Sequence, residues 1–435
     1  MTQQRLADWH LCVDAYEGEG DMKARGVSYL PMPSGYTSHA DGGLAAYDAY
    51  KNRAQFPDVL ATSIGAMIGI IHGEEIPVEL PANMEYLREN IDGNYTTLED
   101  FHKNITRALL CLGRYGVLAD APEAGGDPFL AGYRGDTIIN WDKDFFVLDE
   151  SGMERDGFAW AHVEKYRVLQ MEDGRYVAQV HTASGEVDMT PTKLGGGMLD
   201  FVPFAVASAK DMGADIEAPP MIGIARAAKA MYQLSADYRL QLYMSGQETL
   251  VAINGEAPTA VGAGVVHEMQ GSDGIVPDLK YVSPTCSGIE KHLEAIQDNR
   301  EVAIQAGARL FEQSNQAQES GKARQMRFRS ETANLQTVAQ ASCSLLEASL
   351  RNIAGLLGQS DAVANGITVT PPKDLMDATL TPQDAVALFS LVESGGLSHE
   401  TFYERAQAGG IANPDRDFDA EYALIERDDI GADGP

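Results

Sequence analysis

The chain has 435 residues, 44% of them hydrophobic, and its 33 Lys and Arg stand against 64 Asp and Glu, a formal net charge of −31. So long and so apolar a chain can bury one large core or two to three smaller ones, which excludes disorder throughout. The acidity argues against a protein that grips nucleic acid, because tight binding uses clustered cations to displace phosphate counterions, but it leaves open one past which DNA slides.

At the start of the chain, Asp8, Asp14 and Glu17 fall where a signal peptide needs an unbroken apolar core, so export is not indicated. Helical patterning runs on to about Ala121, with segments near Gly43 to Gln55, Asp58 to Ile71 and Leu98 to Leu110. The last opens on Thr97 with Asp100 three residues later, the spacing of an N-cap. The most apolar run, VLATSIGAMIGIIH from Val59 to His72, is too short and too interrupted to span a bilayer and predicts a buried helix. From Gly132 to Val206 the pattern changes to short β-branched and aromatic runs (YRGDTIINW, FFVLDE, KYRVLQME, RYVAQVHT) punctuated by Gly and Asp, which predict strands and hairpins.

Pro219 and Pro220 then open a helical run that ends at Gly246, a natural C-cap. About forty residues of strand and turn follow. Ser287 and Glu290 are spaced as a capping box for the next helix, on which Ile289, Leu293 and Ile296 share a face. A small strand module is thus framed by two long helices. After a polar loop from Gln313 to Gly321, helical character persists to about Leu357, roughly 35 residues or ~50 Å. Leu335, Val338, Ser342, Leu345, Leu346, Ile353 and Leu356 mark its buried stripe. GITVTPP predicts a short strand, TPQD and SHET introduce two further helices, and an acidic tail begins at Asp415. The fold class is α+β.

Catalytic motifs are absent from the sequence. SGKAR lacks the spaced Gly and the Ser or Thr of a P-loop, HEMQG lacks the second His of a metalloprotease helix, and no G-x-S-x-G occurs. The triplet Gly195 to Gly197 reads as a turn. The nine His are scattered, His267 and Glu268 read as solvated hairpin residues, and the acids of PDRDFDAEYALIERDD do not fit an EF-hand. Cys12, Cys111, Cys286 and Cys343 are far apart in sequence and read as buried packing thiols of a reducing compartment. No catalytic residue, metal or cofactor is expected.

The order and spacing of YKNRAQFPDVLATSIGAMIGIIHGEEIPVELP, LGRYGVLADAP, YRGDTIINW, LYMSGQETLVAINGE, SGIEKHLEAIQDNREVAIQAGARL, ARQMRFRSETANLQTVAQ and LFSLVESGGLSHETFYE carry a resemblance. Over most of its length, from about Tyr29 to Arg427, the chain resembles the portal proteins of tailed bacteriophages, most closely a subfamily long catalogued as a domain of unknown function. In such proteins about twelve copies form a ring at one capsid vertex. The resemblance implies a wing over residues 1–218, stem helices at 219–246 and 287–312, and a strand-containing clip between them at 247–286. It further implies a tunnel loop at 313–321, a long spine helix at 322–358, and a crown with the acidic tail at 359–435. Its implied partners are other copies of itself, the major capsid protein, a terminase motor, head–tail adaptor and tail proteins, and double-stranded DNA passing non-specifically, with no membrane. Assembly in the host cytoplasm and residence in the virion are likewise implied. Two other readings stand beside it: a different connector ring of the virion, or an enzyme whose pocket is not legible in sequence.

One cluster stands out against the acidity: Lys322, Arg324, Arg327 and Arg329 fall within eight residues that contain no acid. At about 100° per residue, with Lys322 set at 0°, Arg324 and Arg327 fall near 200° and 140° and Arg329 near 340°. The apolar stripe is centred near 200°, so Arg324 and Arg327 extend the buried face as subunit-interface candidates, with Glu312, Glu319 or an acid of the neighbouring subunit as partners. Lys322 and Arg329 remain free to meet DNA, together with the loop residues Gln313, Ser314, Asn315, Gln316 and Gln318, whose amides and hydroxyls suit weak contacts to a phosphate backbone. Twelve copies would carry roughly −370 in charge, felt by an exposed group only within ~10 Å, so DNA in the channel would be held loosely.

Overall fold

A computed structural model describes residues 3–122, 125–246, 248–256, 276–282, 288–306, 321–372, 398–408 and 416–424, with scattered positions between, and their side chains except at 3, 305, 321–334 and 408. The chain divides into two compact units, Met1–Pro371 and Pro372–Pro435.

The first unit opens with helices α1 (Gln3–Glu17) and α2 (Glu19–Ala24). Trp9 is fully buried, and its indole donates to the Leu112 carbonyl at 2.8 Å. The acids that argue against a signal peptide turn out to be fasteners. Buried Asp14 accepts from Arg25 at 2.7 and 2.9 Å and from the Tyr29 hydroxyl, and buried Asp8 accepts from Arg226 at 2.8 Å. Helices α3 (Leu44–Arg53) and α4 (Val59–Ile71) follow. Helix α4, expected to be a buried helix, is buried on one face: Leu60, Ser63, Ile64, Met67 and Ile71 face inward, while Thr62, Gly65 and Gly69 are exposed.

Strand β1 (Val78–Glu79) leads to α5 (Leu98–Leu112). The predicted cap is present: the Asp100 N–H donates to Thr97 Oγ1 at 3.1 Å. At its other end Gly113, with φ of +73°, takes the left-handed conformation that turns the chain straight into a strand. Helical patterning was expected as far as Ala121. Instead β2 (Arg114–Asp120) is a strand, buried at every residue.

Strands β3 (Phe129–Arg134), β4 (Ile138–Asp142), β5 (Phe145–Asp149), β6 (Gly152–Asp156), β7 (Ala159–Val163), β8 (Lys165–Glu172), β9 (Arg175–Thr182), β10 (Gly185–Asp188) and β11 (Phe204–Ser208) complete the strand region. They form a three-stranded sheet β11-β2-β3, a five-stranded sheet β10-β9-β8-β5-β4 and a separate β6-β7 hairpin, all antiparallel. The two larger sheets meet through Phe204, whose ring lies edge-on to Phe146 with centroids 4.8 Å apart. Gly132 allows a close approach here, since a Cβ would sit 1.9 Å from the Tyr115 hydroxyl oxygen.

Helix α6 (Ile222–Ser245) begins after the two prolines, as expected, and its last turn passes through Gly246, whose N–H donates to Leu242. Strands β12 (Thr249–Ile253) and β13 (Asp278–Val282) pair as an antiparallel ribbon, followed by α7 (Ile289–Gln305). Gly288 directly precedes α7, and Ser287, on which the expected capping box rests, lies outside the described residues. Helix α8 (Gly321–Leu356) has 36 residues, and every position of its expected stripe is buried. It packs on α5, β2 and β11. Helix α9 (Asp361–Ala364) and β14 (Thr368–Val369) close the unit, β14 pairing with the distant β1.

In the second unit α10 (His399–Ala408) starts at the expected SHET, where the Thr401 N–H donates to Ser398 Oγ at 3.1 Å. Tyr403 of this helix stacks near Phe418 and donates to the Arg416 carbonyl at 3.0 Å. The helix expected at TPQD lies outside the described residues.

Candidate functional site

Helices α6 and α7 form an antiparallel arm. At one end a Cβ on Gly223 would lie 3.2 Å from that of Ala306, and toward the other Gln241 Nε2 meets His292 Nε2 at 2.9 Å. The arm is rooted where Ile224, Ala225, Ala227, Ala228, Met231, Tyr232 and Ala236 are buried against α1, α3 and α4. Away from the root burial is lost, and Leu242, Tyr243, Met244 and Leu293 are exposed. The face expected for α7 is therefore only half covered, with Ile289 and Ile296 part-buried and Leu293 in solvent. The ribbon at the far end exposes Tyr281 and Val282. Glu268 beyond β12 is exposed, and His267 lies outside the described residues.

Of the expected channel and interface residues, Glu312, Gln313, Ser314, Asn315, Gln316, Gln318 and Glu319 lie outside the described residues. Lys322, Arg324, Arg327 and Arg329 lie on α8, which is continuous from Gly321, so one helical register carries them to the buried stripe. In that register positions 324 and 327 fall on the arc of Leu335, Val338 and Ser342, while 322 and 329 fall roughly opposite.

Two features of the first unit have no counterpart in the expected sites. A cleft of about 660 Å³ opens between the turn after β2, the segment after β10 and the end of α8. Its apolar lining includes Pro122, Met189, Leu194 and Leu357, its acids are Asp127 and Asp188, and the expected Gly195 turn forms one edge. No sequence signal points to it, because its three walls are far apart in the chain. The second feature is the β6-β7 hairpin, which stands clear of both sheets with Phe158 at its tip.

Buried polar groups in this unit serve the fold. Arg167 donates to Asp120 and Glu150, each at 2.7 Å, and the Tyr133 hydroxyl donates to Glu150 at 2.6 Å. Arg114 is fully buried over the Trp141 ring at 4.0 Å, and burial lowers its pKa to about 10. His72 and His102 meet edge-on with centroids 4.8 Å apart, between α4, α5 and α8. Thr106 Oγ1 donates to the His102 carbonyl at 3.1 Å, so it accepts from His72 Nε2 at 2.9 Å. Ser342 Oγ likewise donates to the Ala339 carbonyl at 3.0 Å and accepts from His102 Nε2 at 3.2 Å. Both rings thereby carry a proton on Nε2, and burial, which lowers their pKa values to about 4 and about 3, keeps them neutral near pH 7. Cys12, Cys111 and Cys343 are buried and free, and Cys111 Sγ lies 3.6 Å from the Cys12 carbonyl oxygen, so two of the thiols that are distant in sequence are neighbours in space. Burial pushes the Cys111 thiol up to about 12, which leaves it a packing group. Among the described residues no group of three or more His, Cys, Asp or Glu could hold a metal ion, and no helix is long and apolar enough to cross a membrane.

A family model described as a domain of unknown function (DUF4055) matches residues 220–356, the stretch from α6 to the end of α8. No curated protein matches the chain. Among solved structures, the neck of a native GTA particle computed with C12 symmetry is 17% identical, covering 81% of this chain and 90% of that one with a TM-score of 0.40. The neck of an empty GTA particle computed with C6 symmetry is 18% identical, covering 82% and 90% with a TM-score of 0.41.

Proposed function

We propose that the chain is the subunit of a homo-oligomeric connector ring in a phage-like particle, and within that class the portal at one capsid vertex. Double-stranded DNA would be packaged and released through the ring, which would dock a terminase motor and later adaptor and tail proteins. The observation that carries this reading is the α6–ribbon–α7 arm, rooted in the core at Ala225 to Ala236 and bare at Leu242, Met244 and Leu293. Apolar surface left in water forgoes about 25 cal/mol per Å², and copies packed arm beside arm around an axis would recover it. The order of helix, ribbon, helix and then a 36-residue helix agrees with the stem, clip and spine that the sequence resemblance implies.

Electron microscopy of the purified protein tests the reading, with closed rings around a channel wide enough for duplex DNA as the expected image. Monomers and dimers alone, across a range of concentrations in native mass measurements, overturn it. Rings whose channel is too narrow for a duplex would keep the connector and discard the portal. With no P-loop in its sequence, the ring is expected to hydrolyse no nucleotide and to rely on a separate motor.

A further inference from the structure

The β6-β7 hairpin is exposed at every residue except its base, Gly152 and Val163. Phe158 at the tip is fully exposed, Trp160 is 66% exposed and Met153 57%. A two-stranded ribbon alone is marginal in water, and one that also displays large apolar side chains has a surface made to be covered. The register sets Met153 opposite His162 and Arg155 opposite Trp160, so these four share one face. Glu154, Asp156, Ala159 and Ala161 take the other face. One side of the hairpin therefore joins aromatic and aliphatic bulk to a cation, with no acid.

The cleft beside the end of α8 has the opposite character. Pro122, Met189, Leu194 and Leu357 give it apolar walls, and exposed Asp127 and Asp188 give it acids. Its lysine, Lys193, is engaged by Asp200 at 3.5 Å. The exposure of Phe158 shows that the hairpin does not fill the cleft of its own chain.

We propose that the hairpin of one copy inserts Phe158 and Trp160 into this cleft on the next copy, with Arg155 meeting Asp127 or Asp188. The inference rests on the ring reading, because a closed ring is built from heterologous contacts, in which each subunit presents two different and complementary patches. An aromatic side chain buries about 150–250 Å², so the tip supplies roughly half of the ~800 Å² per partner of a stable interface. The contact is thus one part of the subunit boundary. Its loss should loosen the ring without abolishing it, so the informative test reads position.

Phe158→Cys and Leu194→Cys place thiols at the tip and on the cleft wall, both exposed, and circular dichroism should be unchanged. Under mild oxidation the double variant should give a ladder of cross-linked chains on a non-reducing gel, climbing toward the full ring. A mixture of the two single variants should stop at two chains, and neither single variant alone should cross-link, which accounts for the native cysteines. Rings that form normally while the double variant gives no ladder would assign the hairpin to another virion protein and overturn the contact alone. A cross-link confined within one chain overturns it as well. Absence of both rings and the two-chain band overturns the contact and the ring reading together.

Discussion

The buried pair His72 and His102 should make the fold sensitive to mild acid. An ordinary histidine titrates near 6.5, but these two are held near 4 and near 3 by burial, His72 also by Lys103 and against Glu99, and His102 also by His72. Below pH 6.5 the unfolded chain takes up protons that the folded chain refuses, so stability is constant above that pH and falls as pH drops toward 4. The slope approaches about 1.4 kcal/mol per pH unit for each ring, which amounts to roughly 4 kcal/mol for the pair between pH 8 and pH 5. Glu19, Asp41, Asp92 and Asp188, whose pKa values are lowered below the ordinary carboxylate range by hydrogen bonds, act only at more acid pH. Burial raises the pKa of Asp120, so the histidines are reported by the difference between the wild type and the variants across the window from 6.5 to 5. Glutamine can donate as the ring Nε2–H does, so His72→Gln and His102→Gln keep the bonds to Thr106 and Ser342 while removing the titration. Urea unfolding across this window should show the slope halved in each single variant and abolished in the double. A double variant that keeps the wild-type slope would refute the assignment of these rings as neutral and buried.

Arg167→Ala leaves buried Asp120 without its cation and Glu150 with only Lys165 at 3.7 Å, and should cost about 3–5 kcal/mol in unfolding free energy. A loss below 1 kcal/mol would show that water replaces the guanidinium. Trp9→Ala empties a fully buried site and removes the bond to the Leu112 carbonyl, with about 3–5 kcal/mol expected in the same assay. On the proposed portal reading, Arg324→Glu with Arg327→Glu should block ring assembly in native mass spectra, whereas Lys322→Glu with Arg329→Glu should assemble and alter only DNA packaging or release. Equal assembly of both pairs would end that division.

Periodic, one-sided burial was legible in the sequence, and two-sided burial was not. The stripe from Leu335 to Leu356 announced α8 because a helix covered on one face repeats its apolar residues every three to four positions. Strand β2 escaped notice because it is the middle strand of its sheet and buried on both faces, so RYGVLAD shows no alternation and continues the apolar run of α5. Strand β11, FAVAS, is an edge strand buried throughout beside α8, and the expected strand region reached it only as far as Val206. The cap at Thr97 is local chemistry and was readable, whereas the pairing of Val78 with Val369 depends on the fold between them. Among the functional surfaces, the arm was visible as two helices framing a strand module. The cleft was not, since Pro122, Leu194 and Leu357 become neighbours only when the chain is folded.

The distribution of burial also separates what holds the subunit together from what would join it to others. Helix α8 from Leu335 onward is enclosed by α5, β2 and β11, with Ser342, Leu345, Leu346 and Ile353 fully buried, and the histidine pair sits in the same block. Damage there should unfold the chain. The arm beyond Ala236 and the β6-β7 hairpin contribute little to that block, because their apolar side chains face solvent. Substitutions at Leu242, Leu293, Phe158 or Trp160 should therefore leave monomer stability within about 0.5 kcal/mol, as for ordinary surface sites, while weakening assembly. A variant set in which stability and assembly fall together would mean that the exposed apolar residues belong to the core of each subunit, and the ring would have to be held by other surfaces.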